Sequence, residues 1–279
     1  MYCSEDKLIV YGTLLLVVAF IVRTIYSLYC KRRFEECHYK FYWDKVLFRE
    51  MGAFAGWNMY GNFAFVMTTQ GVNMLLNMFF GPAVNASRAI AVQIQGAIMG
   101  LATNFTMAIN PQIVQSYAQE RRENMYQYVF WGAKFSFFLL LILIVPILLE
   151  TEFLLKIWLK QIPDYSVVFV RLILIQTLLW ILHVPLHSAI HASGKMKRYQ
   201  LITGTFSLLS IPFVYMILCL GETPPSVFLV YIGIYFIYIF ILLLVLKDIM
   251  NFPVKSFISE VLLVVFMTTF YVFFLILPV

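Results

Sequence analysis

The chain has 279 residues, 62% of them hydrophobic and only 12% charged, with a net charge of +6. Soluble domains carry about 25% charged residues, so the composition excludes a soluble globular protein and points to an all-α, polytopic membrane helix bundle. At about 20 residues per span the length supports roughly eight transmembrane helices and leaves no room for a sizeable soluble domain.

The first apolar run, 8–30, is too long for a secretory signal and lacks a small-residue cleavage site, so it reads as a true span. Behind it, 31–50 holds Lys31, Arg32, Arg33, Lys40, Lys45 and Arg49. Of the four cysteines, Cys3, Cys30, Cys37 and Cys219, the middle two sit at this basic segment with a gap that matches no usual zinc spacing. No metal site is expected there. Apolar runs then predict helices over 51–80, 83–108, 125–149, 166–192, 200–220, 226–246 and 256–279. Gly81-Pro82, Asn110-Pro111, Pro163-Asp164, Ser193-Gly194, Pro224-Pro225 and Pro253 separate them. Run 51–80 is too polar to face lipid on all sides, so it is expected inside the bundle. Gly52-xxx-Gly56 and Gly96-xxx-Gly100 predict close helix packing.

Loop charges set the orientation. The basic loops are 31–50, then Arg121-Arg122, then Lys195, Lys197 and Arg198, then Lys247 and Lys255. They alternate with loops that are poorer in basic residues. The positive-inside rule makes the basic set cytoplasmic and both chain ends external.

All fourteen acids fall in loops or near helix ends, whereas Arg23, Arg88, Lys134 and Arg171 fall within or one turn into apolar helices. A cation at the bilayer centre costs about 2.5–3.5 kcal/mol on insertion scales, which makes function the expected reason for it. Arg23 and Arg171 are within reach of an interface and are read as snorkelling. Lys134 and Arg88 are expected to face a cavity, and a cavity with cations and no carboxylate suits an anion. Gln70, Asn73 and Asn77 lie at i, i+3, i+7 on one helical face. They serve either as interhelical hydrogen-bonding glue or as a polar cavity wall, and Asn85 and Arg88 follow just beyond. Amides with a guanidinium suit sugar hydroxyls and phosphates.

His183, His187 and His191 form an i, i+4, i+8 ladder that could ligate a metal, but its place at a helix end favours a plain interfacial stripe. Asn85-Ala-Ser and Asn104-Phe-Thr match the glycosylation pattern by chance, since both fall at membrane depth. No phosphate-binding loop, glycine-rich nucleotide fingerprint, HExxH or Ser/His/Asp grouping occurs. No enzyme activity, cofactor, metal or nucleic-acid partner is therefore expected.

"FAGWNMYGN", "QGVNMLLNMFFGPAVNASRAIAVQIQG", "TNFTMAINPQIVQSYAQ" and "HASGKMKRYQ" resemble the polysaccharide flippases of the multidrug/oligosaccharidyl-lipid/polysaccharide exporter superfamily. The likeness is nearest to the O-antigen and lipopolysaccharide-biosynthesis exporters of Bacteroides-type bacteria. It runs from about Lys7 to Val254 and is densest over 48–120. It implies a MATE-like fold of two six-helix lobes that face a central cavity and open alternately to each side of the bacterial inner membrane. On that plan 1–30 is the last helix of the first lobe and 31–50 a cytoplasmic linker. Residues 51–250 form the six-helix second lobe, and 251–279 an additional span. The chain is expected to be a truncated copy lacking most of the first lobe. The implied cargo is an undecaprenyl-pyrophosphate-linked oligosaccharide. Gln70, Asn73, Asn77, Asn85, Arg88 and Lys134 are the cavity candidates, with Gln95 a further one. Membrane lipids and other polysaccharide-assembly proteins are the expected partners. A multidrug or cation antiporter of the same superfamily is the first alternative, and a polytopic glycosyltransferase or ligase acting on the same lipid the second.

Overall fold

A computed structural model describes residues 7–37 and 43–276. Cys3, Lys40 and the last residues of the expected 256–279 span lie outside the described residues. Every regular element described is helical: α1 (Lys7–Arg33), α2 (Lys45–Phe80), α3 (Pro82–Ala118), α4 (Arg122–Leu149), α5 (Thr151–Trp158), α6 (Ser166–Ile181), α7 (His183–Ser193), α8 (Met196–Cys219), α9 (Ser226–Met250), α10 (Val254–Phe257) and α11 (Leu263–Ile276). A short 3-10 turn, Glu35–Cys37, follows α1, and a π-helical stretch, Ile258–Leu262, joins α10 to α11 into one span. The chain is an all-α bundle, with seven helices or helix pairs among the described residues long and apolar enough to cross a membrane. It divides into two compact units, Met1–Glu50 and Met51–Val279.

Local chemistry sets the boundaries. Asp44 caps α2 through its carboxylate, which accepts from the backbone N–H groups of Val46 (2.8 Å) and Leu47 (3.2 Å), so the helix starts before the predicted 51. Gly81 turns the chain at φ 82° and Pro82 occupies the first helical position of α3, where a missing N–H costs nothing. Gly194 (φ 69°) ends α7 and Asn251 (φ 55°) ends α9 in the left-handed conformation that such caps require. Pro185 has no N–H to offer the carbonyl four residues back, Ile181, and α6 stops there. The predicted 166–192 helix is thus broken in the middle.

The expectation that run 51–80 lies inside the bundle does not hold, since only Ala64, Thr68, Val72 and Leu76 of α2 are buried; two further expectations need correction. Asn110-Pro111 does not end the third helix, because α3 continues through Pro111 to Ala118. The Ser188 hydroxyl donates to Asn110 Oδ1 at 2.7 Å, tying that stretch to α7. Second, this helix, α3, is the one expected span that is not apolar enough by composition to count as membrane-crossing. Asn85, Arg88, Gln93, Gln95, Asn104 and Asn110 interrupt it. α4, α6 and α7 pack along one side of it, while Gln93, Leu101, Asn104 and Met107 are exposed.

Within 51–279 the core is apolar and aromatic. Phe169, Leu140, Ile144, Leu174 and Phe257 are fully buried, and Phe130 meets Phe257 at a ring separation of 5.4 Å. Outward side chains such as Ile142 and Leu244 are equally apolar, as a lipid-facing surface demands. One end of this unit gathers the basic loops. Tyr126 donates its hydroxyl to Met250 O at 2.9 Å, Lys195 reaches Ile249 O at 3.5 Å, and Arg198 pairs with Asp248. The opposite end joins the other set, with the Ser87 hydroxyl on Asp164 O at 2.7 Å and Arg171 Nε on Thr151 Oγ1 at 3.4 Å.

Candidate functional site

A cavity of about 400 Å³ lies inside the 51–279 unit, between α2, α3, α6, α7, α8 and α9. Its walls are set by spacing along each helix. On α9, Tyr231, Tyr235 and Tyr238 follow one another at i, i+4, i+7. From α2 come Asn62, Thr68 and Thr69, and from α8 Tyr199, Gln200 and Thr203. Gln176, Trp180 and His183 project from α6 and α7. Arg88 and Gln95 complete it from α3.

Glycine permits the close seam between α2 and α8. A Cβ on Gly204 would stand 2.8 Å from a ring carbon of Tyr60, and one on Gly61 would collide with the Gln200 amide. Across that seam Tyr60 and Thr205 share a hydroxyl contact of 2.9 Å, and Thr68 meets the backbone and side-chain oxygens of Ser207 at 3.1 Å. The glycines named from the sequence behave otherwise. A Cβ on Gly52, Gly56, Gly96 or Gly100 meets nothing within 4 Å among the described residues, so these pairs do not mark helix contacts there. Close approach falls instead at Gly61, Gly71, Gly132 and Gly204.

Among the described residues Arg88 is the one arginine or lysine in the cavity wall, and no carboxylate lines it. Its guanidinium donates through Nη1 to Asn73 Oδ1, and Asn73 in turn donates to Gln70 Oε1 at 3.0 Å. This relay fixes the fork from one side. The Nε of Arg88 is buried with no partner, a donor without an acceptor in a low-dielectric setting. Gln95 donates to Thr177 Oγ1 at 2.9 Å. Tyr231 shares a hydroxyl contact with Ser210 at 3.1 Å, and Tyr199 lies 3.5 Å from Tyr238. Hydroxyls, amides and aromatic faces thus surround one half-buried cation.

The sequence candidates divide accordingly. Arg88 and Gln95 line the cavity, while Asn73 and Gln70 stand behind Arg88 as its hydrogen-bonded support. Asn85 lies one turn before Arg88, half-buried, with an unbonded buried Oδ1. Asn77 is exposed near the Gly81 turn, and Lys134 is half-buried on α4; neither lines this cavity. The helix explains Lys134: α4 packs on α3, α6 and α7 and contributes no residue to the wall.

The histidine ladder is also repositioned. His183 is buried, donates through Nδ1–H to Trp180 O at 3.1 Å, and lines the cavity with His187. His187 and His191 meet at 3.0 Å between their Nε2 atoms. The ladder therefore starts in the cavity and is not simply an interfacial stripe. The tyrosine triad of α9, with Gln176 and Gln200, was missed among apolar runs, although the triad's spacing was readable.

Apolar helices crossing the membrane around an internal, polar, cation-bearing cavity are the architecture of a membrane transporter. The MatE family profile matches residues 59–216, more than half of the chain, and the chain belongs to that family. Its members are transporters and not enzymes, which sets aside the glycosyltransferase alternative. The match also supports membership of the multidrug/oligosaccharidyl-lipid/polysaccharide exporter superfamily that the motifs resemble. No curated protein and no solved structure matches the chain.

Proposed function

We infer that this MatE-family chain is part of a flippase that moves an undecaprenyl-pyrophosphate-linked oligosaccharide across the bacterial inner membrane by alternating access. The observation that carries this reading is Arg88: a half-buried guanidinium whose buried Nε–H has no partner, in a cavity wall that holds no carboxylate among the described residues. A guanidinium fork matches phosphate oxygens in a bidentate way. Hydroxyls and amides such as Tyr231, Thr203, Gln176 and Gln200, with the faces of Trp180 and Phe206, offer the hydrogen-bonding and stacking surface that a sugar needs. Asn73 and Gln70 preset the fork, so little ordering is left for the moment of binding. Release requires that the grip differ between the two access states.

A cation antiporter is the competing reading, and the same cavity disfavours it, because an intramembrane cation site calls for a carboxylate or an equivalent acceptor. The two readings separate by binding. The purified chain in lipid nanodiscs is titrated with a short-chain pyrophosphate-linked oligosaccharide and with a lipophilic cationic dye. The flippase reading expects saturable binding of the first and none of the second. Saturable dye binding with no affinity for the pyrophosphate lipid overturns it.

A further inference from the structure

A second polar feature lies apart from the cavity, at the basic end of the bundle. Lys195, Lys197 and Arg198 open α8, and together with Leu201, Ile202, Asp248 and Ile249 they line a surface groove between the start of α8 and the end of α9. We propose that this groove is a binding site for the phosphate headgroup of an anionic membrane phospholipid.

Three observations support it. The groove holds three cations against one carboxylate, a net positive charge concentrated within a single turn. Lys197 stands over the Trp57 ring at 5.8 Å, and tryptophan with lysine is the pairing expected at a membrane–water boundary. Leu201 and Ile202, at 41% and 36% exposure, continue the groove along α8 as an apolar wall. Charge above and apolar surface below match a lipid, headgroup on the cations and acyl chain along the wall; a free phosphate ion would use only the upper half.

The Arg198–Asp248 pair makes the site testable beyond simple charge counting. Its side chains are 62% and 48% exposed, and an ion pair this open is weak. An incoming phosphate can therefore recruit the Arg198 fork away from Asp248. Asp248 competes with the lipid for Arg198, so removing its charge frees the fork.

The test uses the full chain in phosphatidylcholine nanodiscs that contain increasing fractions of brominated phosphatidylglycerol, with tryptophan quenching as the readout. Selective, saturable quenching over brominated phosphatidylcholine is expected. Lys195→Ala with Lys197→Ala should weaken the apparent affinity about 25-fold, from about fivefold for each basic residue near an anionic surface. Asp248→Asn should tighten it several-fold. Equal quenching by the two brominated lipids overturns the proposal, and so does an Asp248→Asn variant that binds no better than wild type. Millimolar inorganic phosphate should leave the quenching in place; if it abolishes quenching, the groove is a free-anion site and the lipid assignment is wrong.

Discussion

The two sides of the 51–279 unit are built on different terms. On one side α4 packs against α3, α6, α7 and the C-terminal span through Phe130, Phe137, Leu140 and Ile144, with hardly a polar group among them. On the other, α2 meets α8 through hydrogen bonds and glycine contacts, and a cavity opens beside the seam. Lipid tails are as apolar as leucine, so association inside a membrane comes from shape on the first side and from polar pairing on the second. The polar side is where the bundle holds an unsatisfied cation. Polar residues in these helices thus mark the working face as well as the adhesive one.

Substitutions break the comparison most strongly on the apolar side. Phe169 is fully buried and rests on Phe228 at a ring separation of 4.6 Å. Phe169→Ala should destabilise the bundle by at most about 3 kcal/mol, the low end for such truncations in water-soluble cores. In lipid the transfer term falls away and the lost packing remains. Thermal unfolding in detergent, scored against an exposed control such as Ile142→Ala, reads the effect. Equal midpoints would mean that the core is not packed as described.

The glycines sharpen the seam. Gly204→Ala places a methyl 2.8 Å from the Tyr60 ring and should cost about 1–3 kcal/mol, the usual range for overpacking. Gly96→Ala meets open space and should leave the unfolding midpoint of the isolated chain unchanged. A reversal of that order would place the close helix approach where the sequence pattern put it and not at the seam.

A third expectation concerns the two ends. In a cysteine-free background, single cysteines at Glu222 and at Lys197 should react from opposite sides of the membrane with an impermeant thiol reagent. The basis is the gathering of basic loops at one end of the bundle and the positive-inside rule. Labelling of both from one side would refute the orientation.

The smallest effect is expected at the surface helix α5. The Lys156 ammonium, 2.7 Å from Glu152, holds that carboxyl below its usual range through a hydrogen bond and charge. A lowered folded-state pKa contributes stability at neutral pH that fades as pH falls through it. Both side chains are 63% exposed, so solvent screens the pair. Glu152→Gln should not move the unfolding midpoint at pH 7 measurably; a clear drop would show that α5 anchors more than its exposure indicates.

Much of the fold was legible because membrane helices announce themselves by composition. Gly81-Pro82, Ser193-Gly194 and Pro253 fall at boundaries between helices in the structure. Asn110-Pro111 misled because a proline is tolerated inside a membrane helix, and α3 runs on through Pro111 to Ala118. The site was half legible. Arg88 and Gln95 stood out as polar interruptions and line the cavity. Tyr231, Tyr235 and Tyr238 did not, since tyrosine counts as apolar until its hydroxyl is seen pointing at another. Lys134 stood out equally and does not line the cavity, because depth in a helix says nothing about which way the helix faces.

Arg88 carries the central claim, and binding to its variants tests it most directly. Affinity for a short-chain pyrophosphate-linked oligosaccharide is measured by titration calorimetry on the wild-type chain, Arg88→Ala, Arg88→Lys and Lys134→Ala. A charge-assisted hydrogen bond contributes about 1.5–3 kcal/mol, so Arg88→Ala should weaken binding about tenfold or more. Arg88→Lys should recover only part of that, since the fork is lost, and Lys134→Ala should bind as wild type. Wild-type affinity in Arg88→Ala would contradict the account.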